Sequence, residues 1–132
     1  MAIRNPARRR DSSALEKVGL AEQIARLETF RGLAPGWDSY DASPPNETAL
    51  RNGRIVLGFV HEQEESPPVH VAPSAEGGVL LVFSAGGPKY ADIECYNDGE
   101  ILAILSEPSG EPTIWRLTLE EEQLRRFLCE TS

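Results

Sequence analysis

A chain of 132 residues, 40% hydrophobic and 26% charged, has the size and residue usage of one domain with its own core, which excludes wholesale disorder. No apolar run reaches membrane-spanning length, and the N-terminus lacks the apolar stretch of a secretory signal, so the expected location is cytoplasmic. Of the formal charge of −8, Arg4, Arg8, Arg9 and Arg10 contribute +4 within the first ten residues, leaving −12 on the remainder; that body repels a phosphate backbone and suits a partner protein with a basic surface.

Residues 1–12 have no apolar periodicity and read as a mobile basic tail, the one place where nucleic acid would be held, by Arg8, Arg9 and Arg10. Residues 13–132 read as a single domain. Ser13 and Glu16 have capping-box spacing, and Leu20, Ile24, Leu27 and Phe30 follow on one helical face until Gly32 and Pro35-Gly36 stop it. A second helix is expected from about Asn46 to Gln63, capped by Ser43 or Asn46, with Ala49, Gly53, Val56, Leu57 and Val60 as its apolar stripe. Gly53 and Gly58 each cost roughly 1 kcal/mol against alanine there, which implies close packing against a neighbour.

After Ser66-Pro67-Pro68 the pattern changes to short apolar runs at Val69–Ala72, Val79–Ser84, Lys89–Tyr96, Glu100–Ser106 and Thr113–Leu117, the signature of an antiparallel meander. Asn97-Asp98-Gly99 is a tight turn. A two-residue loop would pair Cys95 with Leu102; a three-residue loop with a bulge would pair Cys95 with Ile101 and Ile93 with Ala103. Either puts Ala91, Ile93 and Cys95 inside and Asp92 and Glu94 on a solvated face. Thr118 and Glu121 form a second capping box, before a short final helix carrying Leu124, Phe127 and Leu128. The expected fold class is therefore α+β: two N-terminal helices, a four- to five-stranded antiparallel meander and a C-terminal helix.

Chemistry-bearing motifs are sparse. There is no Walker loop, G-x-S-x-G elbow, H-E-x-x-H or dinucleotide fingerprint, and Gly77-Gly78 and Gly86-Gly87 read as hairpin turns. Cys95 and Cys129 lack metal-ligand spacing and read as reduced, buried thiols. His61 reads as an exposed side chain near a helix end. No catalytic residue, metal or cofactor is assigned; the enzymatic alternative needs His61 or His70 to meet Asp92 or Glu94 in space.

The most distinctive segment is Gly36-Trp37-Asp38-Ser39-Tyr40-Asp41-Ala42-Ser43-Pro44-Pro45. Here the chain resembles a group of small, uncharacterised bacterial proteins with a helix, a G-W-D-x-Y-x-A-x-P-P loop and a second helix, and the likeness extends into Pro73–Val79. It implies a compact bacterial domain and carries no activity. Trp37 and Tyr40 have two readings: rings buried between helix and sheet with Asp38 bonding loop amides, or anchors for a partner protein with Asp38 and Asp41 selecting a basic neighbour. Together these readings point to a noncatalytic accessory module of antitoxin-like, immunity-like or inhibitory type, acting on another protein through an acidic surface.

Overall fold

The computed structural model describes residues 19–63, 69–84, 90–108 and 110–131. The basic tail with Arg8, Arg9 and Arg10, the Ser13–Glu16 capping box and Gly86-Gly87 lie outside the described residues.

Helix α1 occupies residues 19–29 and tightens into a 3-10 turn at Phe30–Gly32, with Leu27 and Phe30 buried. Helix α2 spans Glu47–Glu62, and of the two candidate caps it uses Asn46, whose Oδ1 accepts the Ala49 N–H at 3.0 Å. Gly53 is explained by packing: a Cβ there would stand 3.3 Å from Val79 Cγ1 and 3.6 Å from Leu27 Cδ2, so only hydrogen lets α2 sit this close to the sheet and α1. Gly58 faces open space, and nothing in the structure explains its glycine. Glu28 of α1 accepts from Arg31 at 2.6 Å and from Arg54 of α2 at 2.8 Å, which ties the two helices at their rim.

The five strands are β1 (Val69–Ser74), β2 (Gly78–Ser84), β3 (Tyr90–Tyr96), β4 (Ile101–Ser106) and β5 (Thr113–Arg116), paired antiparallel in chain order. At the β3–β4 turn, Cys95 faces Ile101 and Ile93 faces Ala103, so the three-residue loop is the one formed. Tyr96 N–H donates to Glu100 O at 2.8 Å, and Gly99 takes a φ of +96°, a conformation that costs glycine little. The inner face carries Val71, Val79, Leu81, Phe83, Ala91, Ile93, Cys95, Ile101 and Ala103, closed by Leu27, Leu50, Val56, Leu57, Val60, Leu124 and Phe127 from the helices. Phe127 meets Phe83 edge-on at 5.2 Å and Trp115 at 6.0 Å.

Two expectations are corrected. Helix α3 runs Glu121–Thr131, and Leu124 N–H donates to Glu120 O at 3.1 Å, so the helix starts three residues beyond Thr118 and the capping box there does not form. Leu119 packs against the core, which keeps this stretch out of the helix. Cys129 is exposed; Cys95 alone is buried, and burial pushes its thiol up to about 12.

Candidate functional site

The Trp37 loop is a self-bonded turn. Gly36 N–H donates to Ala42 O at 2.9 Å, Ser39 N–H to Gly36 O at 3.0 Å, and Ser39 accepts a φ of 70°. Asp38 Oδ1 accepts the N–H groups of Tyr40 at 2.9 Å and Ala42 at 3.3 Å, so its carboxylate shapes the loop. Of the four residues singled out here, Tyr40 is 81% exposed, Asp41 is exposed, and Trp37 and Asp38 are half-buried. Trp37 does not belong to the core cluster, and its Nε1 is enclosed without an acceptor among the described residues. The reading that buried the Trp37 ring between helix and sheet is not met; the tryptophan that packs on that cluster is Trp115.

Beyond the loop, Asn46 and Asn97 clip the chain to the sheet. Asn97 Oδ1 accepts Asn46 N–H at 2.9 Å, Asn97 Nδ2 donates to Pro44 O at 3.1 Å, and Asn46 Nδ2 donates to Asn97 O at 2.9 Å. The start of α2 and the β3–β4 turn are thus fastened together.

The outer face of the sheet, opposite the helices, is built in two cross-strand rows. One runs His70, Val82, Asp92, Ile104, Ile114; the other runs Ala72, Leu80, Glu94, Leu102, Arg116. None of these side chains belongs to the cluster the helices close, and Ile114 is 56% exposed. The face is therefore broadly apolar, with two carboxylates at its middle strand. The outward assignment of Asp92 and Glu94 is observed, but the solvated environment expected for them is not. Glu94 is only 9% exposed, because Leu80 and Leu102 flank it and Ser74 and Tyr96 cover its oxygens. Ser74 Oγ donates to one oxygen and Tyr96 OH to the other at 2.9 Å. Burial, followed by this bond to Glu94, pushes the Tyr96 phenol up to about 12.

Asp92 differs from its neighbour. It lies between Val82 and Ile104, and among the described residues no hydrogen bond or ion pair reaches its carboxylate. Burial first, and the charge of Glu94 second, raise its pKa above the ordinary aspartate value. His70 shares its row but stands two strands away, roughly 9 to 10 Å by strand spacing, with Val82 between. His61 is half-buried, not the exposed side chain expected, and lies elsewhere: its Nε2 is 2.8 Å from Gln23 Oε1, joining α2 to α1. The histidine–carboxylate centre required by the enzymatic alternative is therefore not assembled among the described residues. A groove between β5 and α3, lined by Leu105, Thr113, Trp115, Gln123 and Arg126, contains neither a histidine nor a carboxylate.

Among the described residues, no group of three or more histidine, cysteine or acidic side chains is placed to hold a metal ion. No helix there is long and apolar enough to cross a membrane. Compared with models of protein families, with curated proteins and with solved structures, the chain matches none.

The apolar outer rows had a sequence signal. Val79–Phe83 and Ile101–Leu105 are unbroken apolar runs, the mark of strands with apolar side chains on both faces. In β3 the alternation of Asp92 and Glu94 with Ala91, Ile93 and Cys95 interrupts this pattern.

Proposed function

We propose that this protein is a noncatalytic binding module whose outer sheet face receives a basic amphipathic helix of a partner protein. One observation carries the reading: Asp92, half-buried and without a cationic partner among the described residues, sits between Val82 and Ile104 on a face that the described helices leave open. A sheet face of this kind is ordinarily buried against a second layer. Five strands at roughly 4.8 Å spacing make a face about 19 Å wide, which a helix of about 13 residues crosses. Leucines on that helix would cover Leu80, Val82, Leu102 and Ile104, and one arginine or lysine would meet Asp92. The surplus negative charge of the chain favours the same class of partner. Tyr40 and Asp41, exposed on the 36–45 loop, are a separate surface to which this reading assigns no part.

The test is amide chemical-shift mapping with a synthetic leucine-rich helix carrying one central arginine, beside its glutamate analogue. Expected are shifts at Val82, Asp92, Glu94, Leu102 and Ile104 with the arginine helix, weakened by salt and by about 1.5 to 3 kcal/mol in Asp92→Asn. Equal binding of both helices defeats the proposal. Shifts in those same residues on deletion of residues 1–12, with no peptide added, would instead make the chain's own arginine segment the occupant.

A further inference from the structure

The two edges of the sheet are not equivalent. On β1 the outward carbonyls are occupied by α1: Gln23 Nε2 donates to Val69 O, and Arg26 Nε donates to Val71 O at 2.7 Å. A helix covering an edge in this way removes it as a template for another strand. On β5, Leu117 N–H donates to Ile101 O at 2.8 Å, which fixes the alternation of the ladder: Trp115 and Thr113 bond inward to β4, while the N–H and C=O of Ile114 and Arg116 point outward. Among the described residues no partner meets those outward groups. A groove lies along this same edge, on the inner side of Thr113 and Trp115, and reaches Arg126 of α3.

From this asymmetry we infer that β5 is a strand-addition site that takes an extended, acid-bearing segment of another protein. Main-chain bonds to Ile114 and Arg116 would extend the sheet by one strand, and alternate side chains would fall to opposite faces. Those facing inward enter the groove against Leu105 and Trp115; those facing outward lie beside Ile114 and Arg116.

The charge of the occupant follows from the two cations that flank the edge. Arg116 is exposed on the outer face, 3.6 Å from Glu100, and Arg126 stands at the groove. Both side chains are exposed, so the edge presents one cation on its outer side and one at the groove of a chain whose net charge is −8. A second copy of β5 fits poorly. The register that matches the open residues, Ile114 opposite Arg116, brings the two Arg116 side chains to diagonal positions on one face, roughly 7 to 8 Å apart, where their like charges add a weak repulsion and no favourable pair forms. Glutamate or aspartate opposite Arg116 removes that conflict. This inference is independent of the outer-face reading, because it uses the edge and groove and needs nothing from Asp92.

The probe is a capped heptapeptide alternating valine and glutamate, titrated to millimolar concentration against the full chain and followed by backbone amide shifts. It is compared with a lysine-for-glutamate peptide and with one N-methylated along its pairing edge. Expected are shifts at the Ile114 and Arg116 amides and the Trp115 indole with the glutamate peptide, at least about tenfold weaker binding of the lysine peptide, and loss of binding on N-methylation. In Arg116→Glu/Arg126→Glu, where both replaced side chains are exposed, the preference between the two peptides should reverse. Equal affinity for both charges, no response at Ile114 and Arg116, or a preference that survives the double substitution overturns the inference. A concentration-dependent dimer that protects the Ile114 and Arg116 amides from exchange also overturns it, since a second copy would then hold the edge.

Discussion

Replacing Asn97 by alanine tests whether the loop before α2 is fastened to the sheet by the contacts described. The substitution removes two side-chain hydrogen bonds, from Asn46 N–H at 2.9 Å and to Pro44 O at 3.1 Å, and leaves the backbone acceptor of Asn46 Nδ2 in place. At a net worth of roughly 0.5 to 1.5 kcal/mol per bond, the loss lies between about 1 and 3 kcal/mol. Asn46 is exposed and Asn97 half-buried, so water can replace part of it, which places the expected value at about 1 to 2 kcal/mol. The turn itself should survive. It is closed by Tyr96 N–H to Glu100 O and by Gly99 N–H to Tyr96 O at 3.0 Å, and Asn97 is not among the positive-φ residues. Urea unfolding measures this directly: the midpoint should fall while the slope with denaturant stays constant. Asn97→Asp, which keeps the acceptor and loses the donor to Pro44, should lose about half as much. A change below about 0.3 kcal/mol for alanine would refute the clip, because the side chain would then be bonding nothing that water does not replace equally well.

Ile93, fully enclosed, should lose about 2 to 5 kcal/mol on substitution by alanine in the same unfolding assay. Glu94→Ala should cost about 1 to 3 kcal/mol, since the hydroxyls of Ser74 and Tyr96 lose their shared acceptor; a change within 0.5 kcal/mol would mean the carboxylate is solvated after all. In that variant the Tyr96 phenol should also drop part of the way from about 12 towards 10, measured by ultraviolet titration. Asp92→Asn should stabilise the protein at neutral pH. The folded pKa of Asp92 is raised, so above the ordinary value of 3.8 the native state holds its proton more tightly than the unfolded chain does, and stability falls as pH rises through that window. The advantage of asparagine should therefore vanish below about pH 3.8, and a lead that persists there would exclude titration of Asp92 as its source.

The meander, its strand limits to within a residue or two and the inner face were legible because side-chain direction alternates strictly along a strand, and Ala91, Ile93 and Cys95 mark that alternation. The Asn46 cap was legible as one of two candidates; only the fold brings Asn97 to it, across 51 positions of sequence. The same limit applies to Glu94. Its alternation with apolar neighbours correctly gave the face, but its burial depends on Ser74 two strands back and on Leu80 and Leu102 in the adjacent strands. A charged residue on an outward position reads as solvated unless those neighbours are known. The edges were illegible for a related reason, since nothing in β1 or β5 says that Gln23 and Arg26 will cover one strand and leave the other bare.

Asp92 and Glu94 place a satisfied and an unsatisfied carboxylate on one face. They leave the same side of β3, roughly 7 Å apart, and each is flanked by apolar side chains from β2 and β4. Two hydroxyl donors satisfy Glu94, so its charge belongs to the fold. Asp92 has no such donors among the described residues, and burial, with the charge of Glu94, holds its pKa raised, so the folded protein disfavours its charge. A cation delivered by a partner would reverse that preference, lowering the pKa of Asp92 on binding and making the complex stronger as pH rises through its titration. Proton release from bound Asp92, followed through its carboxyl carbon resonance, would thus report the partner's charge at the site; a pKa that stays raised in the complex would place the partner's cation elsewhere.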